Sequence, residues 1–226
     1  MEVNGESRVA RAAMVRELKR PLIELRQLAF GLDGVSSNDA AIRAEMMRVT
    51  EAAMKRIDDL SKIEKLDKSQ FQLEPVAVRA ICDEATDELV RTLDRGAQKS
   101  LMKVKYSNRA RLVMGNRELL KSVVYNFLLD AVNYTMDEDG YDTRIELKVR
   151  ETKQKIEIAV RDFGPALMKG AVSDAAMRPM SSVVGAVVTE NFLKFMHAEV
   201  GTVRHNDGAS FFVRMPILKQ QNMWGM

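Results

Sequence analysis

The chain has 226 residues, of which 46% are hydrophobic and 30% charged, and its 35 basic and 32 acidic residues leave a formal net charge of +3. This length fits one large domain or two small ones, and the near balance of charge gives no basis for binding nucleic acid or an anionic membrane. The single cysteine, Cys82, excludes an internal disulfide framework and predicts a reducing, cytoplasmic location. No apolar run approaches the ~18 residues of a membrane-spanning helix, and the N-terminus lacks an apolar signal region.

Two segments at the N-terminus repeat apolar residues at steps of three or four, which predicts long helices over about 7–32 and 38–67. Pro21 lies inside the first helix and is expected to kink it, and a turn at Gly31–Asp39 joins the two. A hairpin cannot bury both apolar faces alone, so we expect a homodimer through residues 7–67 that forms a four-helix bundle. The alternative is that the hairpin packs on the second domain. The apolar stripe of the second helix consists of Ile42, Met46, Val49, Ala53, Ile57, Leu60 and Ile63.

The remainder of the chain alternates helical and strand patterns, which predicts an α+β domain with helices on one face of a mixed sheet. We expect a helical dimerisation domain over 1–68, a sandwich domain over 69–218 and a loose tail over 219–226. The predicted helices of the second domain are Arg79–Lys99, Asn116–Asn133 and Val183–Phe195. Its predicted strands are Phe71–Val78, Met102–Ser107, Arg111–Met114, Tyr141–Glu151, Lys155–Asp162, Glu199–His205 and Ser210–Pro216.

The helix Asn116–Asn133 begins with a polar cap and carries a broad apolar stripe. Asn126 and Asp130 interrupt the pattern, and they point the same way because they are four residues apart. An amide and a carboxylate stacked at the edge of a buried face suggest a site for a cation or for phosphate groups. The alternative is a capped amphipathic helix with two solvated polar side chains. The stripe consists of Leu119, Leu120, Val123, Val124, Phe127, Leu128 and Ala131.

A second motif follows about thirty residues later, where the strand Lys155–Asp162 runs into Phe163-Gly164-Pro165. Together the two stretches resemble the asparagine box and the Asp-x-Gly-x-Gly box of the nucleotide-binding domain of sensor histidine kinases and related GHKL ATPases. The resemblance extends from about Arg16 to Pro216. It implies a dimerising antiparallel helical hairpin followed by a GHKL-like α/β sandwich with a mixed sheet.

The resemblance implies a pocket for ATP or ADP with Mg²⁺. Asn126 and Asp130 would ligate the magnesium ion, and Asp162 would accept a hydrogen bond from the adenine amino group. Tyr134 and Gly164 of the two boxes are also present. The adenine end of the pocket is therefore expected to be retained.

The phosphate end departs from the family pattern. Asn133 replaces a cation, Ala166 replaces a glycine, and Gly185 is the remaining glycine of the loop Ser181–Ala186. Glycines in such loops let backbone N–H groups approach phosphates closely. We therefore weigh three outcomes: weak nucleotide binding without chemistry, a remnant that binds no nucleotide, and phosphate transfer to another protein.

The hairpin lacks the phosphoacceptor histidine that the resemblance implies. Arg16 occupies that position beside the retained Glu17, and an arginine has no lone pair with which to attack a γ-phosphate. Arg20 replaces the Thr or Asn that positions water in family members with phosphatase activity. The chain's two histidines, His197 and His205, fall in the second domain. We therefore predict no catalytic residue and no autophosphorylation.

These features predict a degenerate histidine kinase that acts as a dimeric regulatory module in bacterial two-component signalling. Its expected partner is the receiver domain of a response regulator or another histidine kinase. The basic run of Arg16, Lys19 and Arg20 would meet a receiver's acidic pocket, or it is merely a solvated helix face. The alternatives are an active ATP-dependent kinase or ATPase that phosphorylates another protein in trans, and a phosphotransfer-like adaptor.

Overall fold

The computed structural model of the protein describes residues 20–21, 23–25, 39–66, 71–92, 102–106, 112–136, 144–152, 154–163 and 182–218. Its full-length helices are α1 (Asp39–Leu66), α2 (Val78–Thr92), α3 (Arg117–Met136) and α4 (Val183–Phe195). Its strands are β1 (Glu74–Ala77), β2 (Met102–Tyr106), β3 (Leu112–Gly115), β4 (Ile145–Thr152), β5 (Lys155–Asp162), β6 (Glu199–His205) and β7 (Gly208–Pro216). Within these ranges, no helix combines the length and the apolar character needed to cross a bilayer.

The strands form a mixed sheet of five in the order β2-β4-β5-β7-β6, with β2 parallel to β4 and the other neighbours antiparallel. A separate antiparallel pair, β1 and β3, is joined to the rest by a bridge between Val113 and Ile217. The predicted mixed sheet is confirmed. The β4–β5 hairpin and the β6–β7 hairpin follow the predicted segments, although β4 begins at Ile145 and β7 already at Gly208.

Along β5, successive side chains alternate between the core face of the sheet and the opposite face. Ile156, Ile158 and Val160 are at most 2% exposed and belong to the core, whereas Ala159 and Arg161 on the other face are half-buried. Helix α3 lies against the core face, contacting β4 and β5 as well as α2 and α4. Every residue of its predicted apolar stripe is fully buried, and Tyr125 and Val132 are buried too. The helix is thus buried on more sides than an amphipathic stripe predicts.

Helix α1 packs on the sandwich. Its apolar residues Leu60, Ile63 and Leu66 contact the core, and α1 also contacts α4. Ion pairs hold it in place, since Lys55 Nζ lies 2.7 Å from Glu88 of α2 and Lys62 Nζ lies 2.8 Å from Glu118 of α3. The predicted helix 38–67 is confirmed, and its C-terminal half follows the alternative in which the hairpin packs on the second domain.

The rest of the predicted hairpin falls mostly outside the described residues. Arg20, Pro21 and Ile23–Leu25 are helical, as predicted for the first helix. The turn at 31–38, the phosphoacceptor position Arg16 and residues 93–99 of the predicted helix Arg79–Lys99 lie outside the described ranges. The hairpin as a whole, and its pairing with a second copy, therefore stay predictions.

Candidate functional site

The start of α3 is fixed by the side chain of Asn116. Its Oδ1 accepts hydrogen bonds from the backbone N–H groups of Glu118 and Leu119, each at 3.1 Å, which is the geometry of an N-cap. Its Nδ2 donates to the carbonyl oxygen of Gln72 at 3.1 Å. The predicted cap is confirmed, and the same amide ties the helix start to the segment that leads into β1.

Asn126 and Asp130, one turn apart on α3, line the same small cavity, as their spacing predicted. Asp130 is only 2% exposed. Asn126 Nδ2 donates to Oγ1 of the buried Thr189 on α4 at 3.4 Å. Asn133 and Ser182 also border the cavity. The two predicted residues are therefore brought together, but the amide of Asn126 also links α3 to α4.

Helix α1 closes the other side of this cavity with Ala52, Lys55, Arg56 and Asp59. Asp59 is 3% exposed, and its carboxylate accepts hydrogen bonds from Ser122 Oγ at 2.8 Å and from Lys62 Nζ at 3.2 Å. Burial would lower the pKa of Lys62, but its contacts with Glu118 and Asp59 outweigh burial and raise it. The ion pairs and the apolar contacts thus hold α1 across the phosphate side of the predicted pocket.

The cavity that the described residues leave beside Asn126 and Asp130 is small. Its volume of about 30 Å³ has room for one or two water molecules, whereas pockets for nucleotide-sized ligands are typically about 300–1,000 Å³. Among its lining residues, Asp59 and Asp130 offer the oxygen atoms that magnesium prefers, but Lys55 and Arg56 stand in the same space. Within the described ranges, no three His, Cys, Asp or Glu side chains gather into a metal site. A magnesium ion here would face two cations as well as two carboxylates, and magnesium ligation by Asn126 and Asp130 stays a prediction.

Asp162, the predicted adenine acceptor, is fully buried at the end of β5. Its Oδ1 accepts a hydrogen bond from the backbone N–H of Ala209 at 3.0 Å. Gly208, the residue before, has a φ of 129°, a conformation that few side-chain-bearing residues adopt. One carboxylate oxygen therefore anchors the β6–β7 hairpin. The neighbouring Gly164 and Ala166 lie outside the described residues.

Gly185, the remaining glycine of the expected phosphate loop, lies in the first turn of α4. Its backbone N–H donates to the Ser182 side chain at 3.0 Å, so Ser182 is the N-cap of this helix. The adjacent Val184 is 1% exposed and packs in the core. In this position the N–H of Gly185 is satisfied by the helix cap. Tyr134 belongs to α3, but its side chain lies outside the described residues.

Four residues of the cavity region were missed by sequence reasoning: Lys55, Arg56, Asp59 and Thr189. The first three lie on a helix whose pattern predicted dimerisation or, as the alternative, packing on the second domain, but no site residue. A weak signal was present, because Asp58-Asp59 is an acidic pair directly beside the stripe residues Ile57 and Leu60. No signal distinguished Thr189.

The fold is similar to those of solved histidine kinases. Histidine kinase AdeS of Acinetobacter baumannii matches with a TM-score of 0.62 at 15% identity, over 90% of this chain and 98% of that one. Full-length ShkA, solved in complex with AMPPNP, matches with a TM-score of 0.58 at 13% identity, over 94% of this chain and 45% of that one. The cytoplasmic segment of histidine kinase QseC matches with a TM-score of 0.50 at 17% identity, over 74% of this chain and 95% of that one.

No family model and no curated protein matches the chain. At such low identities the structural likeness shows the fold alone. The chain therefore has a fold similar to that of solved histidine kinases, with a mixed α/β domain.

Proposed function

We propose that this chain is a histidine-kinase-like regulatory module that has lost autokinase activity and acts by contact in two-component signalling. One observation carries the proposal: α1 packs across the Asn126 and Asp130 end of the pocket and leaves a cavity of about 30 Å³. On the side that α1 borders, a triphosphate would need this helix to move away. Asp59 would then lose its contacts with Ser122 and Lys62.

The phosphoacceptor position supports the same conclusion independently. Arg16 replaces the histidine that the family resemblance implies, and a guanidinium group remains protonated and non-nucleophilic. Neither His197 nor His205 can substitute for it, because both belong to the sandwich, at the end of α4 and at the end of β6 respectively. Weak binding of ADP or ATP through Asp162 is compatible with the proposal. Phosphate transfer from this chain is not.

The proposed mode of action is contact with a receiver domain or with another histidine kinase. Arg20, four residues after Arg16 in the sequence, has a side chain that is 75% exposed and pairs with Glu24 at 3.1 Å. An exposed pair of this kind contributes little stability, so Arg20 remains available to an acidic partner. The phosphorylation pocket of a receiver is acidic, and its charge would complement the basic run.

We further propose that the module is a homodimer through residues 7–67. Ile23 and Ile57, one from each predicted helix of the hairpin, are 55% and 50% exposed. Large apolar side chains at this exposure, on helices that resemble a dimerisation hairpin, fit burial against a second copy. The packing of α1 on the sandwich does not compete with this surface, because Ile57 stays exposed while Leu60 and Ile63 contact the core.

Incubation with γ-labelled ATP tests the proposal directly. We expect no acid-labile, base-stable label on the wild-type chain, and little on Arg16→His, because restoring the nucleophile does not open the pocket. Arg20→His is the matched control, since it places the same side chain four residues further along the sequence. Stable labelling of Arg16→His but not of Arg20→His would show a working pocket and would overturn the proposal. Transfer of label to an added kinase or receiver would instead support the trans-kinase alternative.

A further inference from the structure

The face of the five-stranded sheet that points away from the core carries a depression of about 160 Å³. Its volume is about five times that of the cavity beside Asn126, and comparable to the ~150 Å³ cavities that hold a small organic molecule. It crosses β4, β5, β7 and β6. Its described lining residues are Lys148, Arg150, Glu157, Ala159, Arg161, Val203, His205, Ser210 and Phe212.

Small residues create the depression. Ala159 is paired with Lys148 on one side and with Phe212 on the other, so a methyl group stands where its neighbours carry long side chains. The Phe212 ring extends over Gly201 of β6, since a β-carbon on Gly201 would lie 2.5 Å from that ring. The floor of the depression is therefore apolar and its rim is formed by long polar side chains.

Basic side chains dominate this rim. Lys148, Arg150 and Arg161 line the depression, whereas Glu157 is the one acidic residue among the described lining residues. Glu157 is only 2% exposed, and its two carboxylate oxygens are occupied by Arg150 Nε at 2.6 Å and by Arg214 Nε at 2.7 Å. Its charge is thus already compensated within the protein, which leaves the depression attractive to an anion.

The carboxylates that pair with the other two cations lie outside the lining. Lys148 Nζ is 2.6 Å from Glu146, and an Arg161 terminal nitrogen is 2.7 Å from Asp207, whose side chain is 61% exposed. An ion pair with an exposed carboxylate such as Asp207 is weak, so Arg161 can exchange it for another acceptor. Glu146 is only 14% exposed, so Lys148 would keep that contact and approach a ligand with its remaining N–H donors.

Arg161 supplies a donor that the described part of the chain leaves unsatisfied. Its Nε atom is buried and has no hydrogen-bond partner among the described residues. Its guanidinium lies over the Phe163 ring at 4.4 Å, which restricts its orientation. Buried N–H donors are nearly always paired, so this group calls for an acceptor beyond the described residues, and a bound anion is one that would serve.

The opposite wall carries a hydroxyl and an imidazole. Ser210 Oγ lies 2.8 Å from His205 Nε2, and both residues line the depression. Burial lowers the pKa of His205, and the positive charge of Arg161 lowers it further, while Asp207 and Asp162 act in the opposite direction and Lys148 acts in the same direction as Arg161. An anion in the depression would offset the positive charges of Arg161 and Lys148 and would therefore raise the pKa of His205. The pKa of His205 thus reports whether the depression is occupied.

We propose that this depression binds the phosphate monoester group of a small molecule, held by Arg161, Arg150 and Lys148. A dianionic group with several acceptor oxygens suits a depression lined by three cations, and arginine forks match phosphate geometry well. The site lies on the face opposite the pocket formed by α3 and α4. It is therefore independent of nucleotide binding and of the proposed function.

Imidazole NMR tests the proposal, because the chain has two histidines and His197 serves as an internal control. The probes are inorganic phosphate, glycerol 3-phosphate, and phosphatidylcholine vesicles with and without phosphatidic acid, each matched to sodium chloride at equal ionic strength. We expect a saturable rise in the pKa of His205 and no change at His197. Free phosphate, an organic phosphate or a lipid headgroup is then distinguished by which probe acts at the lowest concentration.

Three variants decide whether the site is the depression. Lys148→Gln removes a lining cation. It should lower the affinity about tenfold for whichever probe binds, as expected for one lost charge-assisted contact. Ala159→Leu fills the floor and should abolish the response. Lys103→Gln, an exposed residue of β2 that does not line the depression, removes the same charge and should change nothing. An absent His205 response to every probe, or equal weakening by Lys148→Gln and Lys103→Gln, would overturn the proposal.

Discussion

Gly208 lies so close to Asp162 that a β-carbon at position 208 would be 2.7 Å from Asp162 Oδ1 and closer still to its main-chain oxygen. The φ of Gly208 is 129°, so any other residue there is also conformationally strained. We predict that Gly208→Ala lowers the free energy of unfolding by about 2 kcal/mol or more. Urea unfolding followed by circular dichroism measures the change.

Gly201→Ala is the matched control for this prediction. A β-carbon there would meet the Phe212 ring at 2.5 Å, but a side chain on the open face of the sheet can move where a backbone cannot. We expect Gly201→Ala to lower the free energy of unfolding by less than Gly208→Ala does. Equal destabilisation by the two substitutions would contradict the backbone contact between Gly208 and Asp162.

The docking of α1 predicts that Asp59→Ala is destabilising. The substitution removes the contacts of a 3% exposed carboxylate with Ser122 and Lys62, at an expected cost of about 1–3 kcal/mol. Asp58→Ala is the control, because Asp58 is the preceding residue, carries the same charge and is exposed. Chemical denaturation of both variants should separate them. If Asp59→Ala and Asp58→Ala lower the free energy of unfolding by equally small amounts, Asp59 does not hold α1 against α3 in solution.

Cys82 is buried in the core, and burial raises the pKa of its thiol to about 12 from an ordinary value of about 9. The unfolded chain therefore releases the thiol proton at a lower pH than the folded chain does. It follows that this group makes stability fall as pH rises above about 9. We predict that the stability difference between wild type and Cys82→Ala shrinks between pH 8 and about 10. A thiol reagent should label Cys82 only in denaturant, and rapid labelling of the native protein would refute this.

The proposed homodimer predicts a mass of twice the 25.5 kDa chain by light scattering at micromolar concentration. Leu25→Glu should give monomers, because a charge without a partner would enter the bundle core. Thr50→Glu, at an exposed position of α1, is the control and should leave the mass unchanged. A wild-type mass near 25.5 kDa would rule the dimer out.

Much of this fold could be predicted from the sequence, because helices and strands depend on the local periodicity of apolar residues and on capping residues. All seven apolar residues of the predicted α3 stripe are fully buried, and the Asn116 cap has the expected geometry. The helix Val183–Phe195 has the predicted bounds. The contacts that shape the site are instead long-range. Asp59 meets a serine 63 residues away and Asp162 meets a backbone amide 47 residues away, and no local pattern encodes such pairs.

The same limit explains how the site differed from expectation. The spacing of Asn126 and Asp130 correctly predicted that they share a cavity. It could not predict that α1 would fill the space beside them, because a stripe on an isolated helix does not identify the surface that covers it. Magnesium ligation by these two residues stays a prediction.

Calorimetric titration with ATP and ADP, each with and without Mg²⁺, tests the central claim most directly. If the phosphate end is closed, nucleotide binding should be weak, ADP and ATP should bind with similar affinity, and magnesium should have a modest effect. The reason is that losing even two charge-assisted contacts, at about 1.5–3 kcal/mol each, lowers affinity at least a hundredfold. Submicromolar, magnesium-dependent binding with a strong preference for ATP would contradict the claim, since it would require α1 to leave the pocket and the phosphate end to work.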